Sequence, residues 1–445
     1  MVARIVSNES LHGLKPDLNA VPSELVERRN MRDGIVHGAF FHMATAFADP
    51  FAIIPLFLAG FTDSRILIGF IVSLVSAATV LPQIAVAGHL RRHPGSAKRL
   101  MLGGIWTRCA VWGLIAAVIL SVPEPGVMVL VAFMIGVSIY SLAGGVVVLP
   151  FKQVISGTIA PEHRSSFFGW RLVFGGIMSI MAGLLVQQVL GMQSMSWPRN
   201  YGLLFLMSFA SLVIAYTAMS RFRFPPLPDD AKTPQKSHKH ALKRAWQDYP
   251  VLKRLILIRL LSGGLPMALP FFALFATQEV GLSLASVGLF VAAQRGGGIV
   301  SNLIWMPLGN RTGTKPVIFF GLLLAILSVA AMLFSESMLA ITIAFALSGG
   351  AMSAMIVGFS GYILELGSPE IRPLLFALEG TLLLPLYFMP LLGGWVADTF
   401  SFDILLIVAG VLLIMALITA ATLCEPRRGA SACGPCAGAG QDGTL

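Results

Sequence analysis

Long apolar blocks separated by short polar segments fill most of the chain. The block LLIVAGVLLIMALITAATL, from Leu405 to Leu423, has the length of about 20 residues that an α-helix needs to cross a bilayer. No two-residue alternation typical of exposed strands competes with these blocks. The pattern predicts an all-α polytopic membrane protein with twelve spans, at 34–60, 66–88, 100–121, 126–150, 167–190, 201–220, 255–277, 284–306, 317–334, 338–363, 374–396 and 404–424.

The spans form two sets of six that repeat one another. Spans two and eight align at an offset of 219 residues, which pairs Gln83 with Asn302 and Arg92 with Arg311. The tetrapeptide Pro-Glu-x-Arg also occurs twice, ending at Arg164 and at Arg372. We therefore expect two pseudo-symmetric six-helix bundles, with the chain divided into an N-terminal tail (1–33), a first bundle (34–220), a basic linker (221–254), a second bundle (255–424) and a disordered tail (425–445).

The net charge of +10 is explained by the membrane topology. When the 31 Lys and Arg residues are assigned to alternate loops, 25 fall on one side of the predicted spans and two on the other, and four lie within spans. Basic residues concentrate on the cytoplasmic side of membrane proteins. Both termini are therefore predicted to be cytoplasmic, the expected location is a bacterial inner membrane, and the basic charge requires no nucleic-acid partner.

Composition and motifs argue against other classes. Hydrophobic residues make up 56% of the chain and charged residues only 12%, against roughly 25% charged in soluble domains. The sequence has no P-loop, no His-Glu-x-x-His and no Gly-x-Ser-x-Gly, so a primary pump or an enzyme is not expected, and no cofactor or metal is predicted. Cys433 and Cys436 resemble a redox pair, but their small, polar surroundings favour a disordered tail.

Two loops carry a resemblance to a known family. The segment PLGNRTGTK, after span eight, and GHLRRHPGSAKR, after span two, resemble the loop signature of the major facilitator superfamily. Asn310 and Arg92 stand where that signature has an acid, whereas Arg311 is retained. Pro82–Gln83 and Arg108 resemble an uncharacterised bacterial branch. The resemblance covers 34–424 and implies substrate binding between two halves that rock to give alternating access.

The resemblance also implies a gate at the cytoplasmic side. Pro-Glu-x-Arg fits the first turn of a helix, so Arg164 and Arg372 are interpreted either as capping and topology residues or as gate residues. Seven residues further on, the repeat places Arg171 in the first half and Glu379 in the second. In the family, the loop after span two abuts span eleven. We expect Glu379 to pair with Arg91 or Arg92 when the carrier opens outward, and we include Asn310 and Arg311 in the same gate.

Charged residues deep in spans are functional candidates, because insertion costs about 2.5–3.5 kcal/mol for each. Arg295, in span eight, is expected to face the cavity and bind an anion. Arg108 is expected to form a structural ion pair in the first half, with Asp49 as its partner. His42 and Asp49 lie seven residues apart on one helix face, about 10 Å from one another, which permits a proton relay. The alternative for His42 is a packing residue.

Gln83 and Asn302 complete the predicted substrate pathway, where they bind solute or join helices. The leading hypothesis is a secondary active transporter of a small solute, anionic or zwitterionic, lying in a lipid bilayer and coupled to protons through Asp49 and His42. The alternative is a non-transporting membrane assembly or sensory protein on the same scaffold. The sequence does not identify the solute.

Overall fold

The computed structural model describes residues 24–122, 125–223, 249–334, 336–366 and 372–428, all of them helical or connecting. Most of the predicted linker, both ends of the chain with Cys433 and Cys436, and Pro369 and Glu370 lie outside the described residues. The helices are α1 Glu24–Phe47, α2 Ile53–Ala59, α3 Arg65–Val80, α4 Gln83–Arg92, α5 Ala97–Ser121, α6 Val127–Thr158, α7 Pro161–Leu190, α8 Arg199–Ser220, α9 Pro250–Leu261, α10 Gly264–Leu274, α11 Ser286–Thr312, α12 Thr314–Phe334, α13 Met338–Leu366, α14 Arg372–Leu382, α15 Met389–Thr399 and α16 Phe402–Ala421.

The predicted all-α membrane fold is confirmed, with one difference in span one. Eleven helices of the described chain are long and apolar enough to cross a membrane. The segment 34–60 is not among them, because α1 ends at Phe47 and α2 begins at Ile53. Pro50 has no N–H for an intrahelical bond, and Asp49 accepts the amides of Phe51 and Ala52 in place of helical carbonyls. The first crossing is therefore two helices joined at a buried carboxylate.

Other helices differ from the predicted boundaries by lengthening at one end. α6 continues to Thr158 and α7 already begins at Pro161, so the predicted loop at 151–166 shrinks to a tight turn. Spans two, seven and eleven are each divided, at Leu81–Pro82, at Ser262–Gly263 and at a short 3₁₀ turn, Leu384–Phe388. Hydropathy marks only the apolar length, whereas a helix continues until its backbone meets a stop signal.

The two halves pack together through α3 against α15 and α7 against α11. Glycines allow these backbones to approach closely. A Cβ on Gly69 would collide with the carbonyl of Pro390, and one on Gly288 would collide with the backbone of Gly183 and Gln187. Small residues at helix crossings are the usual means of tight packing in membranes.

We call the end that carries Arg91, Arg92 and Arg311 the basic end, and the other the opposite end. At the opposite end, Asp398 of α15 accepts hydrogen bonds from the amides of Arg65 and Ile66, each at 2.9 Å, and so caps α3 of the other half. The Arg65 side chain donates to the Ala397 carbonyl at 2.9 Å and contacts Glu279 at 3.3 Å. The halves are therefore joined at the opposite end.

The C-terminal segment braces the basic end of the second half. Glu425 accepts the Lys315 amide at 3.0 Å beside Gly313, whose φ of 91° is left-handed. Burial, and to a smaller degree Glu365, raises the pKa of Glu425, although the Lys315 hydrogen bond opposes this rise. Arg427 contacts Glu365 at 2.6 Å. This segment holds the ends of α11, α12 and α13 together.

Candidate functional site

A cavity of about 230 Å³ lies between the two halves. α1 and α7 of the first half and α11 and α13 of the second half supply its wall. The charged Arg295 side chain on this wall is 27% exposed, so the cavity has an opening, whereas Asp398 joins the halves at the opposite end through the start of α3. The cavity is therefore open toward the basic end and closed toward the opposite end.

An ion pair crosses this cavity from one half to the other. Arg295 of α11 donates from Nη2 to Oδ2 of Asp49 at 2.6 Å, and the same nitrogen lies 3.4 Å from the Thr45 carbonyl oxygen. The Asp49 side chain is fully buried, whereas that of Arg295 is 27% exposed on the cavity wall. Arg295 thus lies on the cavity wall with its charge opposite a carboxylate of the other half, and its role in binding an anion stays a prediction.

Asp49 has a second structural role at the break in span one. Its Oδ1 accepts the backbone amides of Phe51 at 2.9 Å and Ala52 at 3.1 Å, just before α2 begins. Side-chain acceptors of this kind satisfy amides that lack a helical partner at a helix start. One carboxylate therefore holds both Arg295 and the start of α2.

The predicted partner of Arg108 is wrong. Asp49 pairs with Arg295 instead, and Arg108 lies inside the first half, with its Cζ 4.1 Å from the centroid of the Tyr140 ring. The centroid of the Phe41 ring lies 5.4 Å from the same Cζ atom. Sequence depth alone could not distinguish which of two buried arginines faces Asp49, because that depends on how the halves cross.

Polar side chains of α11 and α13 complete the wall. Asn302 accepts a hydrogen bond from Ser353 at 2.8 Å and donates to the Gly298 carbonyl at 2.9 Å. Gly297 allows α11 and α13 to approach closely, since a Cβ there would collide with the Ala346 carbonyl of α13. Gln83, the repeat mate of Asn302, donates to the Thr79 carbonyl at the end of α3 and is not among the residues that line the cavity. The two positions are thus not equivalent here.

His42 lines the cavity from α1. Its ring packs against Gly175 of α7, where a Cβ would lie 2.5 Å from Cδ2. Arg295 and Arg171 are close enough to interact with it electrostatically, and no described residue hydrogen-bonds to its ring nitrogens. Because α1 ends before Asp49, the two residues are no longer on one continuous helix face. The proton relay stays a prediction.

Arg164 closes the turn between α6 and α7. It donates from Nε to the Ile159 carbonyl at 3.0 Å and from Nη2 to the Ser156 carbonyl at 2.6 Å, which satisfies the C-terminal end of α6. Pro161 and Glu162 occupy the first turn of α7, as a helix start favours. This geometry fits the capping interpretation of Pro-Glu-x-Arg. In the second copy, α14 begins at Arg372.

A further contact at this turn comes from α1. Glu27 accepts the Ala160 amide at 2.8 Å and contacts His163 at 3.0 Å. Burial alone would raise the pKa of Glu27, but these two contacts outweigh it and lower that pKa. The start of α1 is thus held against the α6–α7 turn.

The remaining predicted gate residues lie in different parts of the two halves. Arg171 is buried between α1 and α7, donates to the Gly34 carbonyl at 2.6 Å and lies 3.0 Å from Nδ1 of His37. Glu379 interacts electrostatically with Arg259 of its own half. Other gate candidates are exposed at helix ends of the basic end: Arg91 and Arg92 on α4, and Asn310 and Arg311 on α11. The pairing of Glu379 with Arg91 or Arg92, expected for the outward-open carrier, stays a prediction.

Sequence reasoning missed the contacts at the opposite end. Asp398, Arg65 and Glu279 join the halves there, yet each stands alone in its loop without a motif. One signal was present, because Arg65 is one of only two cations on that side of the predicted topology. A cation kept where basic residues are rare indicates a specific contact.

Comparison with known proteins agrees with this architecture. Residues 255–432 match the family model of the Major Facilitator Superfamily. A variant of the nucleoside transporter NupG superimposes with a TM-score of 0.65 at 14% identity, over 90% of this chain and 100% of that one. A bacterial homologue of the iron transporter ferroportin, in its inward-facing state, superimposes with a TM-score of 0.65 at 16% identity, over 90% of this chain and 99% of that one.

The peptide transporter POT in complex with sulfate gives a TM-score of 0.64 at 14% identity, over 89% of this chain and 93% of that one. No curated protein matches the sequence. Identities this low show a shared fold and carry no information on the solute. The second half of the chain thus matches the Major Facilitator Superfamily model, and nearly the whole described chain shares the fold of these solved transporters.

Proposed function

We propose that this integral membrane protein is a secondary transporter that carries a small polar solute by alternating access, with Arg295 and Asp49 at the binding site. The observation that carries the proposal is the ion pair between these residues, which joins the halves at the wall of a cavity open to one end only. Parallel six-helix repeats with a site at their interface are typical of rocking carriers.

The orientation follows from the charges. If the basic end faces the cytoplasm, as the positive-inside rule favours, both termini are cytoplasmic and the structure is an inward-open carrier. A bacterial inner membrane is the location that we propose. The gate that closes this end in the other state would include Arg91, Arg92 and Glu379.

The charges at the cavity favour a zwitterionic solute. Arg295 and Asp49 supply one positive and one negative group, and Arg108 is not among the residues that line the cavity. A zwitterion can exchange this ion pair for two new ones, with its anionic group on Arg295 and its cationic group on Asp49. A purely anionic solute would leave Asp49 as an uncompensated buried charge, which is strongly unfavourable.

Proton coupling follows from the same argument. A solute without a cationic group could bind if Asp49 took up a proton as Arg295 turned to the solute, with His42 on the same cavity wall as a second side chain able to carry a proton. Symport of an anion with a proton would thus use the same residues. The dependence of uptake on a pH gradient distinguishes the two kinds of solute.

A ligand screen on matched variants tests the proposal. Purified wild type, Arg295→Gln and Arg254→Gln are heated with a panel of metabolites, Arg254 being an exposed arginine of α9 far from the cavity wall. We expect a zwitterion that stabilises wild type and Arg254→Gln but not Arg295→Gln. The ligand is then offered to proteoliposomes with and without an imposed pH gradient. A ligand that binds but is not taken up would favour a sensory or assembly role instead.

A further inference from the structure

Buried polar atoms without a hydrogen-bond partner gather in the first half around Tyr140. Within the described part of the chain, these are Nε of Arg108 and Nε1 of Trp112. The Trp112 ring centroid is 5.0 Å from that of Tyr140, and Tyr216 interacts electrostatically with Arg108 and Tyr140. Buried polar groups in proteins almost always have a partner, so two unpartnered donors beside one ring require an explanation.

The chemistry of these atoms selects the missing partner. Arginine and tryptophan side chains can only donate hydrogen bonds, and the tyrosine hydroxyl can donate as well. Arg108 also forms no ion pair with any carboxylate that the structure describes, and its electrostatic neighbours are Tyr140 and Tyr216. Arg171 and His37 interact with one another nearby, and neither forms an ion pair with a carboxylate among the described residues. Several donors and an uncompensated cation together call for an acceptor with negative charge.

We propose that a small anion binds inside the first half between α5, α6 and α8, with Arg108 as its charge partner and Trp112 and Tyr216 as hydrogen-bond donors. The guanidinium is held in place by Tyr140 and lies against Gly144 of α6, where a Cβ would be 3.4 Å from Cζ. Because Trp112 packs against both Tyr140 and Phe205, we choose the small anions chloride and formate as probes.

This site is separate from the proposed solute site. All of its residues belong to the first half, whereas Arg295 and Asp49 lie on opposite halves. Rocking of the halves would leave the anion site intact, so the anion travels with its bundle. The inference does not depend on transport, and an anion effect that survives in Arg295→Gln separates the two sites experimentally.

The test is a salt titration of the purified full-length protein. Thermal unfolding is followed as chloride, formate or gluconate is added at constant ionic strength. We expect chloride and formate to raise the unfolding temperature saturably, and gluconate to have no such effect. Tyr216→Phe, which removes one donor, is expected to weaken the anion dependence about tenfold. Tyr201→Phe, at another buried tyrosine of α8, is the matched control and should behave as wild type.

The outcomes divide clearly. Arg108→Gln should lose the anion effect, yet be at least as stable as wild type in gluconate, because the uncompensated charge is gone. Equal shifts with all three salts would mean an ionic-strength effect only and would overturn the proposal. So would a Tyr216→Phe variant indistinguishable from Tyr201→Phe, or loss of the chloride effect in Arg295→Gln. If Arg108→Gln does not fold, Tyr216→Phe and Trp112→Phe decide the question.

Discussion

At the scale of single residues, Asp49 combines two tasks that proteins usually separate. One oxygen accepts the amides that begin α2, and the other accepts the guanidinium of Arg295 from the opposite half. Whatever takes Arg295 away from Asp49, whether solute or proton, acts on a carboxylate that also holds α2. Binding in the cavity is therefore linked to the short helix that continues toward the opposite end.

Two substitutions at Asp49 separate these tasks. Asp49→Asn keeps an oxygen for the Phe51 and Ala52 amides but loses the charge that faces Arg295, whereas Asp49→Ala loses both. We expect the free energy of unfolding to be about 1 kcal/mol lower in Asp49→Ala than in Asp49→Asn, the usual value of a helix-start acceptor. Calorimetry or denaturant unfolding in detergent measures the difference. Equal stabilities of the two variants would show that the capping contacts contribute nothing.

The sequence could predict which residues are special, but not every partner. Depth in an apolar block and the following glycines pointed to Arg295, and the structure places it on the cavity wall. The sequence predicts Arg108 as the partner of Asp49, whereas the structure pairs Asp49 with Arg295. The sequence carries no information on how α1 crosses α11. For the same reason Gln83 and Asn302, equal by repeat, differ in the structure, where only Asn302 lines the cavity.

At the scale of helices, the contact between the α3 start and the α15 end closes the opposite end. Asp398 accepts two amides at the start of α3, so a side chain of one half completes a helix of the other. Such a contact must break each time the halves separate there. The amides at the start of α3 then have Ser64, the residue just before the helix, as a side-chain acceptor. Ser64 already accepts the Leu67 amide at 3.3 Å.

Removing this carboxylate should shift the carrier toward the state that is open at the opposite end. A cysteine introduced on the cavity wall by Ser353→Cys reports this shift. We expect it to react faster with an impermeant maleimide, applied on the side of the membrane that the opposite end faces, when Asp398→Ala is also present. Asp403→Ala is the matched control, since Asp403 is an exposed acid of α16 near the same end. Rates that do not differ between the two variants would mean that Asp398 does not hold the gate.

At the scale of the whole molecule, each conformation needs contacts of its own. The structure supplies those of the state closed at the opposite end, through Asp398, Arg65 and the glycines of α3 and α11. At the basic end, Glu379 interacts electrostatically with Arg259 of its own half. A latch between Glu379 and Arg91 or Arg92 would thus require Glu379 to exchange one arginine for another.

A charge exchange tests this latch. Glu379→Arg is expected to impair uptake into proteoliposomes, and the addition of Arg92→Glu to restore part of it, because the pair is re-formed with reversed charges. The single variant Arg92→Glu, with normal expression, controls for damage to α4. Absence of any recovery in the double variant would count against the latch.

The break in span one affects how the membrane topology of the chain is counted. Counting by apolar length alone finds eleven crossings in the described chain, an odd number that would separate the two termini. Yet Glu27 contacts the α6–α7 turn and Glu425 contacts the turn between α11 and α12, so both ends of the described chain lie beside the basic end. Reporters fused to either terminus would sense one compartment, and a tag in the turn between α7 and α8 would sense the other.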